Sequence, residues 1–218
     1  MMIGGENSTF SGIDPEKYEK WYRTKEGKFF DRLEKELIIE MVNPIAGEKA
    51  LEIGCGTGHF LRWLKGYDLK TTGIDASEKL INYAKKLDEI SEYKKAEAKN
   101  LPFKDKSFDI VLFITTLEFL NQPEKALQEA MRVSGNRIFI GLLNKFSLLS
   151  LKRKIKGLFK KSVYDKARFY SVFQIKKMIR NINKNSKIET KGLNKKSNFF
   201  CVFSPFVGIL IEIKEENE

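Results

Sequence analysis

Three glycines at alternate positions, Gly54, Gly56 and Gly58, stand between a short apolar run ending at Ile53 and an amphipathic run opening at His59. That order reads as strand, tight turn, helix. Glycines so spaced let the main chain turn with positive φ and let a ligand lie directly against it. A helix starting near Gly58 aims free N–H groups and its positive dipole end at the turn. A negatively charged group, or a nucleoside carrying a carboxylate, is the expected occupant. The spacing narrows the choice. Dinucleotide binding asks for G-x-G-x-x-G and a phosphate loop for G-x-x-x-x-G-K-[ST]. This chain has G-x-G-x-G with no lysine after it. Glu52, two residues before the first glycine, is a poor neighbour for a pyrophosphate but suits a cation such as an ammonium or sulfonium. Asp75 closes the next apolar run, Thr71-Thr-Gly-Ile-Asp, where a carboxylate can take both hydroxyls of a ribose.

Taken together, these residues resemble a family. Glu52-Ile-Gly-Cys-Gly-Thr-Gly58 is similar to the glycine-rich motif of class I S-adenosylmethionine (SAM)-dependent methyltransferases, and Gly73-Ile-Asp-Ala-Ser77 to their ribose-binding strand end. Ala96-Glu-Ala-Lys-Asn-Leu-Pro-Phe-Lys-Asp-Lys-Ser-Phe-Asp-Ile-Val111 resembles a signature of the small-molecule branch, methyltransferase type 11, which includes the ubiquinone/menaquinone-type enzymes. Four motifs in family order, within a stretch from about Tyr18 to about Met178, carry the likeness. It implies SAM as cofactor, S-adenosylhomocysteine (SAH) as product, no metal, and a small-molecule acceptor.

The resemblance also implies roles. The backbone of Gly54, Cys55 and Gly56, with Gly58 closing the turn, lies against the methionine portion, and Glu52 holds its amino group. Asp75 accepts from the ribose hydroxyls and Ala76 flanks the adenine. Glu97, where the family usually has aspartate, accepts from the adenine amino group, with the Ala98 amide facing the ring; a plain surface carboxylate is the alternative. Tyr18 and Trp21 sit on the aromatic helix that in relatives closes over the cofactor, though a core-packing face explains them almost as well. Thr115-Thr-Leu-Glu-Phe119, after the fourth strand, faces the transferring methyl. Thr115 falls on the cofactor side, Thr116 and Tyr170 are candidates for the acceptor, and Glu118 is a candidate proton acceptor or a mere helix-start carboxylate. A sulfonium methyl is already electrophilic, so holding the acceptor in line and excluding water suffices. The single histidine, His59, leaves no triad with a second histidine and no His-rich metal site.

Length and patterning agree with this. At 218 residues the chain suits one well-buried α/β domain, 1–218, with a helical cap over 1–43. Asp14-Pro15 reads as a helix start, and Asp31–Val42 as a second helix stopped by Asn43-Pro44. βα units follow: a helix from about Gly58, a strand at Lys70–Asp75, a helix from Ser77, strands near Tyr93–Ala96 and at Phe108–Ile114, a helix at Pro123–Val133, a strand at Arg137–Leu142. A helix at Val172–Ile182, N-capped by Ser171, precedes strands near Lys187–Leu193 and Gly208–Lys214. The expected fold is a Rossmann-like, doubly wound, mostly parallel seven-stranded sheet with an antiparallel last strand and helices on both faces.

The pattern breaks over 143–170, an insertion after the fifth strand. Its basic amphipathic run, 152–161, reads as a solvated helix, a lid over the acceptor, or a docking surface for membrane or RNA. Asn194–Phe206 is unexpectedly apolar, a packing segment or a pocket wall. Net charge is +11, but the lysines are scattered, and lysine alone supplies attraction without readout. RNA or protein methylation, and non-catalytic SAM binding, stand as rival functions. The lack of an Asn/Asp-Pro-Pro-Tyr tetrad argues against DNA adenine methylation. No apolar run is long enough to span a bilayer, the first residues lack a signal-peptide layout, and two distant cysteines make no disulfide framework. A cytoplasmic protein is expected.

Overall fold

A computed structural model describes residues 14–144, 167–193 and 204–213. The 152–161 run, the first dozen residues and most of 194–206 lie outside the described residues.

Two helices lead the chain. Helix α1 (Pro15–Arg23) is N-capped by Asp14, whose carboxylate accepts from the Glu16 N–H. Helix α2 (Lys25–Val42) starts six residues before the Asp31 that patterning suggests, because the Thr24 hydroxyl caps it by accepting from the Gly27 N–H. Only the later turns of α2 are buried on the sheet, through Leu37, Ile38, Met41 and Val42, and it is that stripe which shows in the sequence.

Strand β1 (Lys49–Ile53), helix α3 (His59–Leu64), strand β2 (Lys70–Asp75), helix α4 (Glu78–Leu87) and strand β3 (Glu92–Lys95) form the first half. Strand β4 (Phe108–Ile114), helix α5 (Pro123–Val133), strand β5 (Ser134–Leu143), helix α6 (Val172–Ile182) and strands β6 (Lys187–Gly192) and β7 (Phe206–Glu212) form the second. The strands make one sheet in the order β3-β2-β1-β4-β5-β7-β6. Neighbours from β3 to β5 are parallel, and β7 runs antiparallel to both β5 and β6.

Alternate side chains of the central strands point to opposite faces. Ile53, Val111, Phe113, Ile138 and Ile140 meet α5 and α6 on one side. Ala50, Ile110, Leu112 and Phe139 meet α2 on the other. Both faces are therefore closed to water, as a parallel sheet requires. The strand order reverses between β1 and β4, and a crevice at the carboxyl ends of those two strands is where such sheets take ligands.

Candidate functional site

The glycine-rich turn leaves β1 at that reversal. Gly54, Gly56 and Gly58 all have positive φ (75°, 55° and 76°). They play different parts. A Cβ on Gly54 would fall 2.3 Å from the Thr116 methyl, and one on Gly58 would fall 2.4 Å from the Tyr93 hydroxyl. A Cβ on Gly56 would meet nothing within 4 Å among the described residues. The first and third glycines are packed against protein from β4's end and β3, while the middle one presents bare backbone to open space. Helix α3 behind the turn has only six residues, so main-chain shape shapes the site more than a helix dipole does.

Two carboxylates flank the turn. Glu52 is buried at 2 % exposure, and its Oε2 has no hydrogen-bond partner among the described residues. Burial and then the nearby Asp75 push its pKa well above the ordinary range, against the opposing charge of Arg62. Asp75 ends β2 and accepts from the Gly56 N–H through Oδ2 (3.0 Å) and from the Ser77 N–H through Oδ1 (2.8 Å). Burial raises its pKa, opposed by those N–H groups. Cys55 between them is buried, its thiol pushed up by burial and the two acids. Ala76 beside Asp75 is exposed.

Glu97 lies on the loop after β3, largely exposed and paired with Lys99 at 2.9 Å; Ala98 is half-buried. That loop is tied down by Arg132 of α5, which donates to the carbonyls of Leu101 and Phe103 while bound to Glu129 and Asp105. Glu129 in turn accepts from the Leu101 N–H.

After β4 the chain turns sharply at Thr115 (φ 51°). The Thr116 hydroxyl donates to the Ile114 carbonyl while its methyl covers Gly54. Glu118 is buried; its Oε1 accepts from the Leu143 N–H at 2.6 Å and its Oε2 has no partner among the described residues. Burial pushes its pKa up to about 7. Its main-chain carbonyl accepts from the Arg168 N–H. Tyr170, two residues on, is fully buried beside Leu117 in the core facing α5 and α6. The Arg168 guanidinium stands 5.5 Å from the centre of the Tyr170 ring.

Beyond Tyr18 and Trp21, already candidates from the resemblance, further residues of α1 and α2 join the turn. Tyr18 and Tyr22 share a hydrogen bond (3.0 Å), and the Tyr22 ring stacks on His59 at 3.6 Å. Trp21 packs edge-on against Tyr22. His59 Nε2 pairs with Asp31 Oδ1 at 2.7 Å. Glu19 accepts from both Thr57 and Arg62. Charged residues on an amphipathic helix read as solvated, so no local signal marked Glu19 or Asp31. Among the described residues no group of three or more His, Cys, Asp or Glu side chains could hold a metal ion.

Residues 51–137, from β1 to the middle of β5, match the family model for the methyltransferase domain. Over 175 residues the chain is 33% identical to an uncharacterized protein of Methanocaldococcus jannaschii, covering 79% of this chain and 80% of that one. The chain belongs to the SAM-dependent methyltransferases. This methyltransferase is also 32% identical over 111 residues to a demethylmenaquinone methyltransferase of Thermotoga maritima, covering 49% of this chain and 48% of the relative's own length. It thus spans about half of that enzyme. A solved SAM-dependent methyltransferase of T. maritima superposes with a TM-score of 0.70 at 26% identity, over 94% of this methyltransferase and 98% of that chain.

Proposed function

We propose that this single domain, with α1 and α2 as its cap, moves the methyl group of SAM to a small-molecule acceptor in the cytoplasm, and that Glu118 takes the acceptor's proton. What carries the reading is the shape of the turn: bare backbone at Gly56 with no described residue against it, backed by a buried carboxylate, Glu52, with one oxygen unpartnered among the described residues. A buried acid with a free oxygen is costly unless a cationic or donating group meets it, and the ammonium of SAM is such a group. The residues therefore fit the cofactor.

Gly54, Cys55 and Gly56 would offer main chain to its methionine portion and Glu52 a charge to its amino group. Asp75, held by two backbone N–H groups, would keep lone pairs for the ribose hydroxyls. Ala76, Ala98 and Glu97 would line the adenine, with Tyr18 and Trp21 over it and Thr115 below. When bound, SAM supplies a methyl on a cationic sulfur that needs no protein nucleophile. Glu118, Thr116 and Tyr170 would orient the acceptor and exclude water beyond β4. A carboxylate with a pKa of about 7 is suited to accept a proton near neutral pH.

Calorimetric titration with SAM, SAH and NAD tests the cofactor half. SAM and SAH should bind and NAD should not. Gly56→Arg, which fills the open face, should abolish binding, and Asp75→Ala should weaken it roughly ten- to hundredfold, about 1.4–2.7 kcal/mol. Folded wild-type protein that binds neither SAM nor SAH would sink the proposal.

A further inference from the structure

The residue between the second and third glycines of the turn is held from outside the turn. Thr57 has no exposure to solvent. Its hydroxyl donates to Glu19 Oε1 of α1 (2.5 Å), and its carbonyl accepts from Arg62 Nη1 of α3 (2.5 Å). Arg62 Nη2 then donates to the same Glu19 oxygen at 2.8 Å. Side chain and main chain of one turn residue are thus gripped by an ion pair that joins α1 to α3. The side chains of Arg62 and Glu19 are only 23% and 12% exposed, so the pair is shielded from the solvent that weakens surface ion pairs. Beside it, Tyr22 of α1 stacks on His59, the residue that follows Gly58.

We infer that Glu19 is a positioning residue that latches α1 onto the glycine-rich turn, so that cofactor binding and closure of the N-terminal helix are one coupled event. This rests on the reading of the turn as the SAM site. Ordinary packing of α1 asks for apolar contact with its neighbours, and Tyr22 supplies it. It does not call for a carboxylate aimed at Thr57, the turn residue that follows Gly56. With the latch made, the turn holds one shape and α1, bearing Tyr18 and Trp21, stays over it. Without it, both move independently. Coupling between two sites is reciprocal: whatever the latch contributes to cofactor affinity, the cofactor returns to the docking of α1.

The test is SAH titration of wild type, Glu19→Ala, Glu19→Gln, Thr57→Val and the Glu19→Ala/Thr57→Val double variant, alongside trypsin digestion with and without SAH. Glu19→Ala should raise the Kd for SAH about tenfold. The double variant should bind no more weakly than the worse single one, since both substitutions break the same latch. Glu19→Gln keeps an acceptor for Thr57 but loses the charge facing Arg62, and should fall between wild type and Glu19→Ala. SAH should slow cleavage after Lys17, Lys20 and Arg23 in the wild type and fail to do so in Glu19→Ala. A purely structural Glu19 would lower thermal stability and leave the Kd of the folded protein the same for Glu, Gln and Ala. Folded Glu19→Ala or Glu19→Gln protein that binds SAH as tightly as wild type overturns the latch. Wild type that does not bind SAH overturns the cofactor reading instead.

Discussion

Glu118 illustrates how burial turns an ordinary carboxylate into a titrating group near neutral pH. Its Oε1 is satisfied by the Leu143 N–H, its Oε2 by none of the described residues, and desolvation lifts its pKa from 4.5 to about 7. The folded state therefore holds this proton more tightly than the unfolded chain. Its contribution to stability is present in full below about pH 4.5 and is lost as pH rises through about 7. Two and a half pKa units correspond to on the order of 3 kcal/mol. Glu118→Gln keeps the bond to Leu143 and removes the titration. Denaturant unfolding at pH 5 and pH 8 should show wild type losing more stability than Glu118→Gln over that interval. Equal losses would mean that Glu118 does not titrate there. With an acceptor in hand, the rising limb of activity through about pH 7 should vanish with Glu118→Gln, at a cost of roughly a hundredfold in kcat.

At the level of elements, helix starts decide where the site's walls stand. Ser171 and Gln174 form a capping box at the head of α6, each side chain serving the other's backbone N–H. That cap directly follows Tyr170 and orients the segment whose Arg168 N–H binds the Glu118 carbonyl. Ser171→Ala should cost about 1 kcal/mol and lower the Tm by about 2–4 °C, read by thermal unfolding; an unchanged Tm would mean that the cap is not holding the helix. Below the turn, Asp88 gathers Lys65, Ser91 and Tyr93, and these contacts hold its pKa far below the usual carboxylate range. Tyr93 is the residue whose hydroxyl fills the space a Gly58 side chain would need. The glycine-rich turn thus rests on a polar prop built by the end of α4 and by β3.

For the whole molecule, the two tryptophans report on opposite parts of the proposed unit, Trp21 on the cap helix and Trp63 on α3 behind the turn. If the cap folds with the sheet as one domain, urea unfolding followed by tryptophan fluorescence and by far-UV circular dichroism should give coincident transitions. A separate early fluorescence change would show α1 to be an independent unit. Much of the architecture was legible beforehand. The bounds of β2, β4, α5 and α6 coincide with those read from periodicity, because each has an apolar stripe of the right period, and β4, α5 and α6 also have a serine or proline at an edge. Helix α2 was read six residues short, since its first turns bury little and begin on a threonine cap. The glycines, Glu52 and Asp75 were visible as candidates because their spacing is local.

What the sequence alone determined is whatever short-range pattern encodes: the alternation of strand and helix, the tight turn marked by three alternate glycines, the acids at the ends of β1 and β2, and from these the family. Tertiary structure decided the rest. It sorted the three glycines into two packed and one open. It left one oxygen of Glu52 and one of Glu118 without partners among the described residues. It brought Glu19 to Thr57 and Arg62, 38 and 43 residues away. Local periodicity reports which face of an element is buried, but not what it is buried against, and the partners of these charged groups exist only once the chain has closed on itself.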